Sequence, residues 1–504
     1  MFSLLLGVLM AILDTTVVNI AIPKMMSVFN APTDKIEWVL TGYMLTIGVL
    51  VPITGFLQDT FGSKRLYLFA LTVFTAGSAL CGLAWSADAM IVFRVMQAVG
   101  GGMMMPLTMS MFYRLMPPEE RGLAMGFWGI SIMFAPAFGP TLGGYIVEYL
   151  DWRLIFTLNI PLGLIGWILA YLLIPEMETK KGQRFDLAGF IFSSIGFFTL
   201  LYALNEGTAK GWTSLYILAL LFTAASSLVI FVVLELYQEE PMLDLRLFKN
   251  ATFTLAVLIG SIDSIAMFSG VFLVPLFLQT VMNLSPMQTG MLLFPAALAT
   301  GIVMPISGRL FDRIGARPLV VAGMAMATFT TLHFHRLNVW TPLSTVMLWY
   351  MYRGIGMGMT MMPATTAGLN TVDLAKVSRA TALTNAVRQV ASSFGIAIFT
   401  TILQRRIIFH AADYAAGLNA HSPVTQAAMS RIGLLAAQAG LPSAGKALTA
   451  VMIGGAVQRQ AFVAAIDDVF WIAAFFTVSG ALLGLFLKTP KASNGRRPAA
   501  AMEV

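Results

Sequence analysis

The sequence predicts an all-α, polytopic membrane protein, and three observations carry that prediction. Of its 504 residues, 58% are hydrophobic and only 11% are charged, whereas a soluble chain of this length carries about 25% charged residues. Mean hydropathy is +0.80. The apolar residues gather into runs that approach or exceed the roughly 20 residues a bilayer-crossing helix needs. The net charge of +7 does not point to nucleic acid, because the basic residues are distributed by topology. The single cysteine, Cys81, excludes an intrachain disulfide.

Fourteen runs qualify, at 2–23, 39–58, 66–85, 89–112, 122–147, 154–174, 187–204, 214–234, 252–281, 287–307, 318–334, 343–367, 380–403 and 468–487. The first is expected to be a retained helix and not a cleavable signal. It has no basic leader, carries Asp14 in mid-run and stays apolar up to Pro23. An even number of spans puts both termini on one side. With the N-terminus inside, eighteen Lys and Arg fall on inner loops and the C-terminal tail, against five on short outer loops. That bias predicts a multi-pass protein of the cell (inner) membrane with both termini cytoplasmic. Segment 404–467 is rich in Ala, Gly and Gln and is interrupted by Pro442 and Lys446. It is expected to be an outer loop with amphipathic helices, since a further span would carry the basic tail outside.

The chain repeats itself. GFLQDTFGSKR at 55–65 returns as GRLFDRIGARP at 308–318, and RVMQAVGGGMMMP at 94–106 returns as RGIGMGMTMMP at 353–363. Each copy falls after the second helix, or on the fourth, of a six-helix block, the mark of two parallel six-helix halves. The expected organisation is a first half at 1–185, two inserted helices at 186–236, an inner connector at 237–250, a second half at 251–488 and a basic inner tail at 489–504.

The fifth run contains GISIMFAPAFGPTLGG at 129–144. Ala135, Gly139 and Gly143 recur every four residues, so on a helix they form a small-residue stripe that lets a second helix approach closely. The order Gly139, Pro140, Gly143, Gly144 resembles the antiporter signature of the major facilitator superfamily. Further motifs agree in order: LDTTVVNIAIP at 13–23, Gly55, Leu57, Asp59, Gly62 and Lys64 on the second loop, Arg94, Gln97 and Gly100 on the fourth run, DWRLIFTLNIPLG at 151–163 and VRQVASSFGIAI at 387–398. The sequence departs from the superfamily pattern at Ala135, where Gly is usual, and at Thr60 and Ser63, where basic residues are usual. Over nearly its whole length the chain resembles the fourteen-helix drug:proton antiporter family, the EmrB/QacA-like branch. That resemblance implies the major facilitator fold, alternating access and a membrane-embedded acid at the position of Asp14.

Five ionisable residues lie inside spans: Asp14, Arg94, Asp263, Arg353 and Arg388. Each costs about 2.5–3.5 kcal/mol at a helix centre on insertion scales, so each marks a site or a partner. Asp14 is the expected proton-coupling acid, and the plainer alternative is a structural aspartate. Arg94 is open to tuning that acid or holding its own helix to a neighbour. Three roles are open to Asp263: cargo binding, a second proton site, or structure. Met104, Met361, Phe138 and Arg353 are candidate cavity residues, with packing or gating as the alternative. On the loops, Asp59 and Asp312 can cap a neighbouring helix or pair with Lys64, Arg65, Arg313 or Arg317, forming a gate whose tight turns use Gly55, Gly62, Gly308 and Gly315. His333 and His335, two apart, do not share a helix face, and no metal site is expected.

The function expected is export of a lipophilic, cationic compound in exchange for protons, with the proton gradient as the energy source and no cofactor. A solute importer, or a lipid or metabolite exporter, of the same superfamily is the runner-up. A membrane sensor or enzyme is the remote alternative, since no phosphate-binding loop or nucleophile constellation is present. The expected partners are the lipid bilayer, the small-molecule cargo and protons, with a periplasmic adaptor protein if the host has two membranes.

Overall fold

A computed structural model describes residues 2–177, 179, 185–417, 426–427, 430–431, 434 and 445–488. No strand occurs among them. The long helices, in chain order, are α1 (Phe2–Phe29), α2 (Thr33–Phe61), α3 (Ser63–Gly82), α4 (Ala87–Leu115), α5 (Arg121–Tyr149), α6 (Leu154–Leu173), α7 (Leu187–Lys210), α8 (Leu215–Tyr237), α9 (Ala251–Thr280), α10 (Pro286–Ile314), α11 (Ala316–Phe334), α12 (Leu343–Leu369), α13 (Val377–Gly417) and α14 (Gly445–Leu485). Eleven are long and apolar enough to cross a membrane. The other three, α5, α11 and α12, pack in the same bundle, so every expected span is met by a helix.

The sequence repeat is also a repeat of packing. In the first half α1 packs on α5 and α6, α2 on α4, and α3 on α4 and α6. In the second half α9 packs on α13 and α14, α10 on α12, and α11 on α12 and α14. The two halves meet along α5 with α10 and α2 with α13, and the inserted helix α7 touches both α2 and α13.

Local chemistry sets the helix boundaries. Ser86, Asp186, Ser214 and Asn250 each accept from a backbone N–H in the first turn of the helix that follows, and Ser285 with Gln288 forms a reciprocal capping box on α10. Gly62 and Gly315 join α2 to α3 and α10 to α11 at φ of +90° and +82°, a backbone region that penalises a Cβ. Helix α6 keeps helical dihedrals through Leu158 (φ −57°, ψ −32°), and Pro161, three residues on, removes one backbone donor from it.

Two features depart from the expected boundaries. Most helices overrun the apolar runs at one or both ends, while α3, α6, α9 and α14 stop one to three residues short at their C-terminal ends. Within 404–467, where an outer loop with amphipathic helices is expected, the described parts are helical: α13 continues to Gly417 and α14 starts at Gly445. The Ala-rich composition favours helix there, and Arg406 and His410 on one extension bond Asp468 on the other at 3.0 and 2.7 Å. The tail 489–504 lies outside the described residues.

Candidate functional site

Asp14 on α1 is 1% exposed and is the hub of a network that ties five helices together. It pairs with the Arg94 guanidinium of α4. Its other oxygen accepts from Gln97 Nε2 at 3.0 Å and from Asn159 Nδ2 of α6 at 3.1 Å. Gln97 and Asn159 also reach Ser78 Oγ of α3, at 2.5 and 3.2 Å. Arg94 donates to Gln97 Oε1 at 2.7 Å and to the Val39 carbonyl at 3.2 Å, and its guanidinium lies 4.1 Å from the Tyr43 ring centroid. A buried charge is tolerated only when paired and hydrogen-bonded, and both conditions hold here. Gln97 was legible within the fourth-run motif. Asn159 likewise falls within the motif at 151–163, whereas Ser78 and Tyr43 were not marked, because neutral polar residues in apolar runs carry no signal until the fold brings them together.

A cavity of about 400 Å³ lies between the halves. Its wall comes from α1 (Thr16, Asn19, Ile20), α5 (Met133), α9 (Met267, Val271, Pro275, Gln279), α10 (including Thr289, Leu293 and Thr300) and α12 (Tyr350, Arg353, Met357). Its size is that of a small-molecule site, and its lining is apolar with a few polar groups. Helix α1 therefore serves two structures: Asp14 is buried in the first half, while Thr16, Asn19 and Ile20, on the other side of the helix, line the cavity. Of the expected cavity residues Arg353 lines the wall. Met104 and Met361 lie in the apolar core instead, and the wall methionines are Met133, Met267 and Met357. Phe138 is 36% exposed and stacks on Phe134, outside the wall. Gln279, which the sequence did not single out, is part of it.

Asp263 is 3% exposed and is not a wall residue. It lies one helical turn from Met267, on the stripe of α9 that continues through Val271, Pro275 and Gln279. It makes no hydrogen bond or short ion pair with a described residue, and it feels the charges of Arg388 and Arg353. Arg388 donates to Thr365 Oγ1 at 3.0 Å.

The end of the bundle that carries Lys64, Arg65, Arg313 and Arg317, here the basic end, is closed. Asp312 caps α5, accepting from Gly122 N at 3.1 Å and Leu123 N at 3.3 Å. Asp59 holds the start of α13 through the Ser378 hydroxyl, Arg379 Nε at 3.3 Å and Arg114 Nη2 at 3.5 Å. The basic residues expected as partners are placed elsewhere. Lys64 sits over the Tyr171 ring, Arg65 meets Glu176 at 3.9 Å, and Arg313 and Arg317 are exposed. Small residues let the backbones meet: a methyl group on Gly126 would lie 2.6 Å from the Met304 carbonyl oxygen, and one on Gly55 would lie 2.8 Å from that of Ser378. Gly308 abuts Gly122 in the same way.

The stripe on α5 faces α1. Gly139 meets Thr16, and a methyl on Gly143 would lie 2.9 Å from Val17 Cγ1. Gly144 has nothing within 4 Å of such a methyl. The Pro140 side chain lies outside the described set. Among the described residues no group of His, Cys, Asp or Glu could hold a metal ion.

Two six-helix bundles related by a repeat, closed at one end around a central cavity, define a membrane transporter. A family model described as the Major Facilitator Superfamily matches residues 4–396. The chain is 37% identical to the "Uncharacterized MFS-type transporter YhcA" of Bacillus subtilis, over 98% of this chain and 93% of that protein. It is 30% identical to the "Multidrug export protein EmrB" of Haemophilus influenzae, over 97% and 95%. Among solved structures, a double-Trp mutant of XylE superposes with a TM-score of 0.65 at 15% identity, over 97% of this chain and 96% of that one. The chain belongs to the major facilitator superfamily.

Proposed function

We propose that this transporter exports lipophilic compounds in exchange for protons, with the basic end facing the cytoplasm and the structure closed on that side. The observation that carries the proposal is the position of Asp14: a buried carboxylate on one side of α1, with the cavity wall on the other. Protonating Asp14 removes the charge that Arg94 and its neighbours hold. The network then loses its grip on α1, and Thr16, Asn19 and Ile20 shift with the helix. Proton occupancy and cavity shape are thereby linked through one rigid element, with the Asp59 and Asp312 contacts as the bistable latch that alternating access needs. Multidrug export by a relative of nearly the same length supports the direction of transport. In a two-membrane host, the helical extensions at 404–417 and 445–467 would be the surface offered to a periplasmic adaptor. The sequence suggested a cationic cargo. Among the described residues of the wall the only formally charged one is the cation Arg353, so a preference for cations is not carried forward.

The test is dye efflux from proteoliposomes under an imposed pH gradient. Asp14→Asn is expected to abolish uphill transport while retaining downhill exchange of the dye, and Asp263→Asn to keep uphill transport. Uphill transport by Asp14→Asn at the wild-type rate overturns the assignment of the proton site.

A further inference from the structure

We propose that the central cavity recognises an anionic group, a carboxylate or a comparable oxyanion on an otherwise apolar molecule, and that Arg353 is its anchor. This deepens the transport proposal above by naming the charge of the cargo.

The two halves are alike in packing but differ in charge. Arg94 on α4 and Arg353 on α12 occupy equivalent places in the repeat. Arg94 has a carboxylate, Asp14, in direct contact. Arg353 has none. Its Nη2 donates to the Ala266 carbonyl and to Ser269 Oγ at 3.0 Å, its Nε has no acceptor, and the guanidinium packs on Gly270. Arg353 is 2% exposed, and what it touches besides protein is the cavity. The absence of a side chain at Gly270 leaves room for the guanidinium.

The charge count of the embedded core points the same way. Asp14 is consumed by Arg94. Asp263 is shared between Arg388 and Arg353, forms no short ion pair with either, and does not line the wall. Three guanidiniums against two carboxylates leave one positive charge uncompensated beside an apolar cavity. A buried cation without a partner is costly, and a planar guanidinium with free N–H groups suits a carboxylate. Among the other polar groups of the wall, Thr289 Oγ1 has no hydrogen-bond partner among the described residues and is free to donate to a cargo, whereas the Thr300 hydroxyl is committed to the Ala296 carbonyl at 2.8 Å. A lipophilic cation entering this space would face Arg353 with no wall acid to balance it.

The test uses three probes of similar apolar bulk on the full-length protein in detergent: 1-pyrenebutyric acid, its methyl ester and a pyrene-butyl trimethylammonium salt. Binding is read by energy transfer from protein tryptophan to pyrene. The acid is expected to bind wild type at least about 10-fold more tightly than the ester, and the cation more weakly than the ester. Arg353→Gln should erase the difference between acid and ester, and Arg353→Lys should restore part of it. Equal or tighter binding of the cation by wild type overturns the proposal, and this outcome needs no variant to fold. An acid preference that survives Arg353→Gln moves the anchor away from Arg353 and overturns the assignment. In proteoliposomes the two proposals separate. Acid-selective binding without pH-driven efflux would defeat proton exchange but not the anion site, and pH-driven efflux without acid preference would defeat the anion site alone.

Discussion

Asp14 and Arg94 are both inaccessible to solvent and each is the other's counter-charge, so removing either strands a charge in the core. Asp14→Asn keeps the shape of the side chain and one acceptor oxygen, but presents an NH2 group either to Arg94 or to Gln97 and Asn159, which both donate to the same oxygen. Either amide can flip, yet both also donate to Ser78 Oγ, so a flip gives up a second hydrogen bond. Breaking one side of a buried ion pair costs about 3–5 kcal/mol. The retained shape of the side chain, which opens no cavity, favours the lower end, about 3 kcal/mol. Arg94→Gln should cost a similar amount. The double variant leaves no stranded charge and should cost about 2 kcal/mol less than the sum of the singles. Cys81 supplies the assay. It is the sole cysteine, is fully buried, and lies 3.8 Å from Gln97 Oε1, so a thiol-reactive fluorophore labels it only when this network opens. At tenfold per 1.4 kcal/mol, each single variant should label roughly 100-fold faster than wild type, and the double variant roughly 30-fold slower than the product of the single effects predicts. Single variants that label at the wild-type rate, or a double variant whose effect is the simple product, would refute the claim that the pair is coupled.

Three further outcomes follow from the closed end and the α5 stripe. Gly126→Val places a branched side chain against the Met304 and Pro305 backbone, which cannot yield, so active transport should be lost; Gly144→Ala, with open space around it, should transport like wild type, and equal activity of the two variants would sink the close-packing argument. Asp59→Asn leaves the buried Arg379 short of a counter-charge and should shift the equilibrium by about 2 kcal/mol toward opening of the basic end. Spin labels at the exposed Phe61 and Leu374, in a Cys81→Ala background, should then gain a longer distance component, and an unchanged distribution would count against the latch. Asp312→Ala removes the cap on α5 and should destabilise the closed state by about 1 kcal/mol, seen as faster proteolysis at residues 116–121; unchanged cleavage would mean that the cap contributes nothing.

Much of this protein was legible in one dimension. Fourteen helices follow from run length, because a bilayer core demands about 20 apolar residues whatever their order. The two-half architecture follows from the paired motifs at 55–65 and 308–318. Asp14 and Arg94 stood out because a charge in an apolar run is expensive. The stripe Ala135, Gly139, Gly143 announced close approach by its spacing. It did not name its partner, which is α1, nor show that Gly144 takes no part.

What the tertiary structure decided was partnership. That Asp59 holds Arg379 and Arg114 and not Lys64 or Arg65 depends on how α2 meets α13 and α4, and no spacing encodes the contact between Asp59 and Arg379, more than 300 positions apart. Met104 and Met361 fell in the core, with Met133, Met267 and Met357 on the wall, because a methionine is equally at home in either place and only the facing of each helix tells them apart. The asymmetry between Arg94, which has a carboxylate in contact, and its repeat mate Arg353, which has none, is also invisible in the motifs. The sequence determines which side chains are costly to bury; the fold determines which of those costs are offset by a neighbour, because pairing depends on distances of a few ångströms that only the packed helices set.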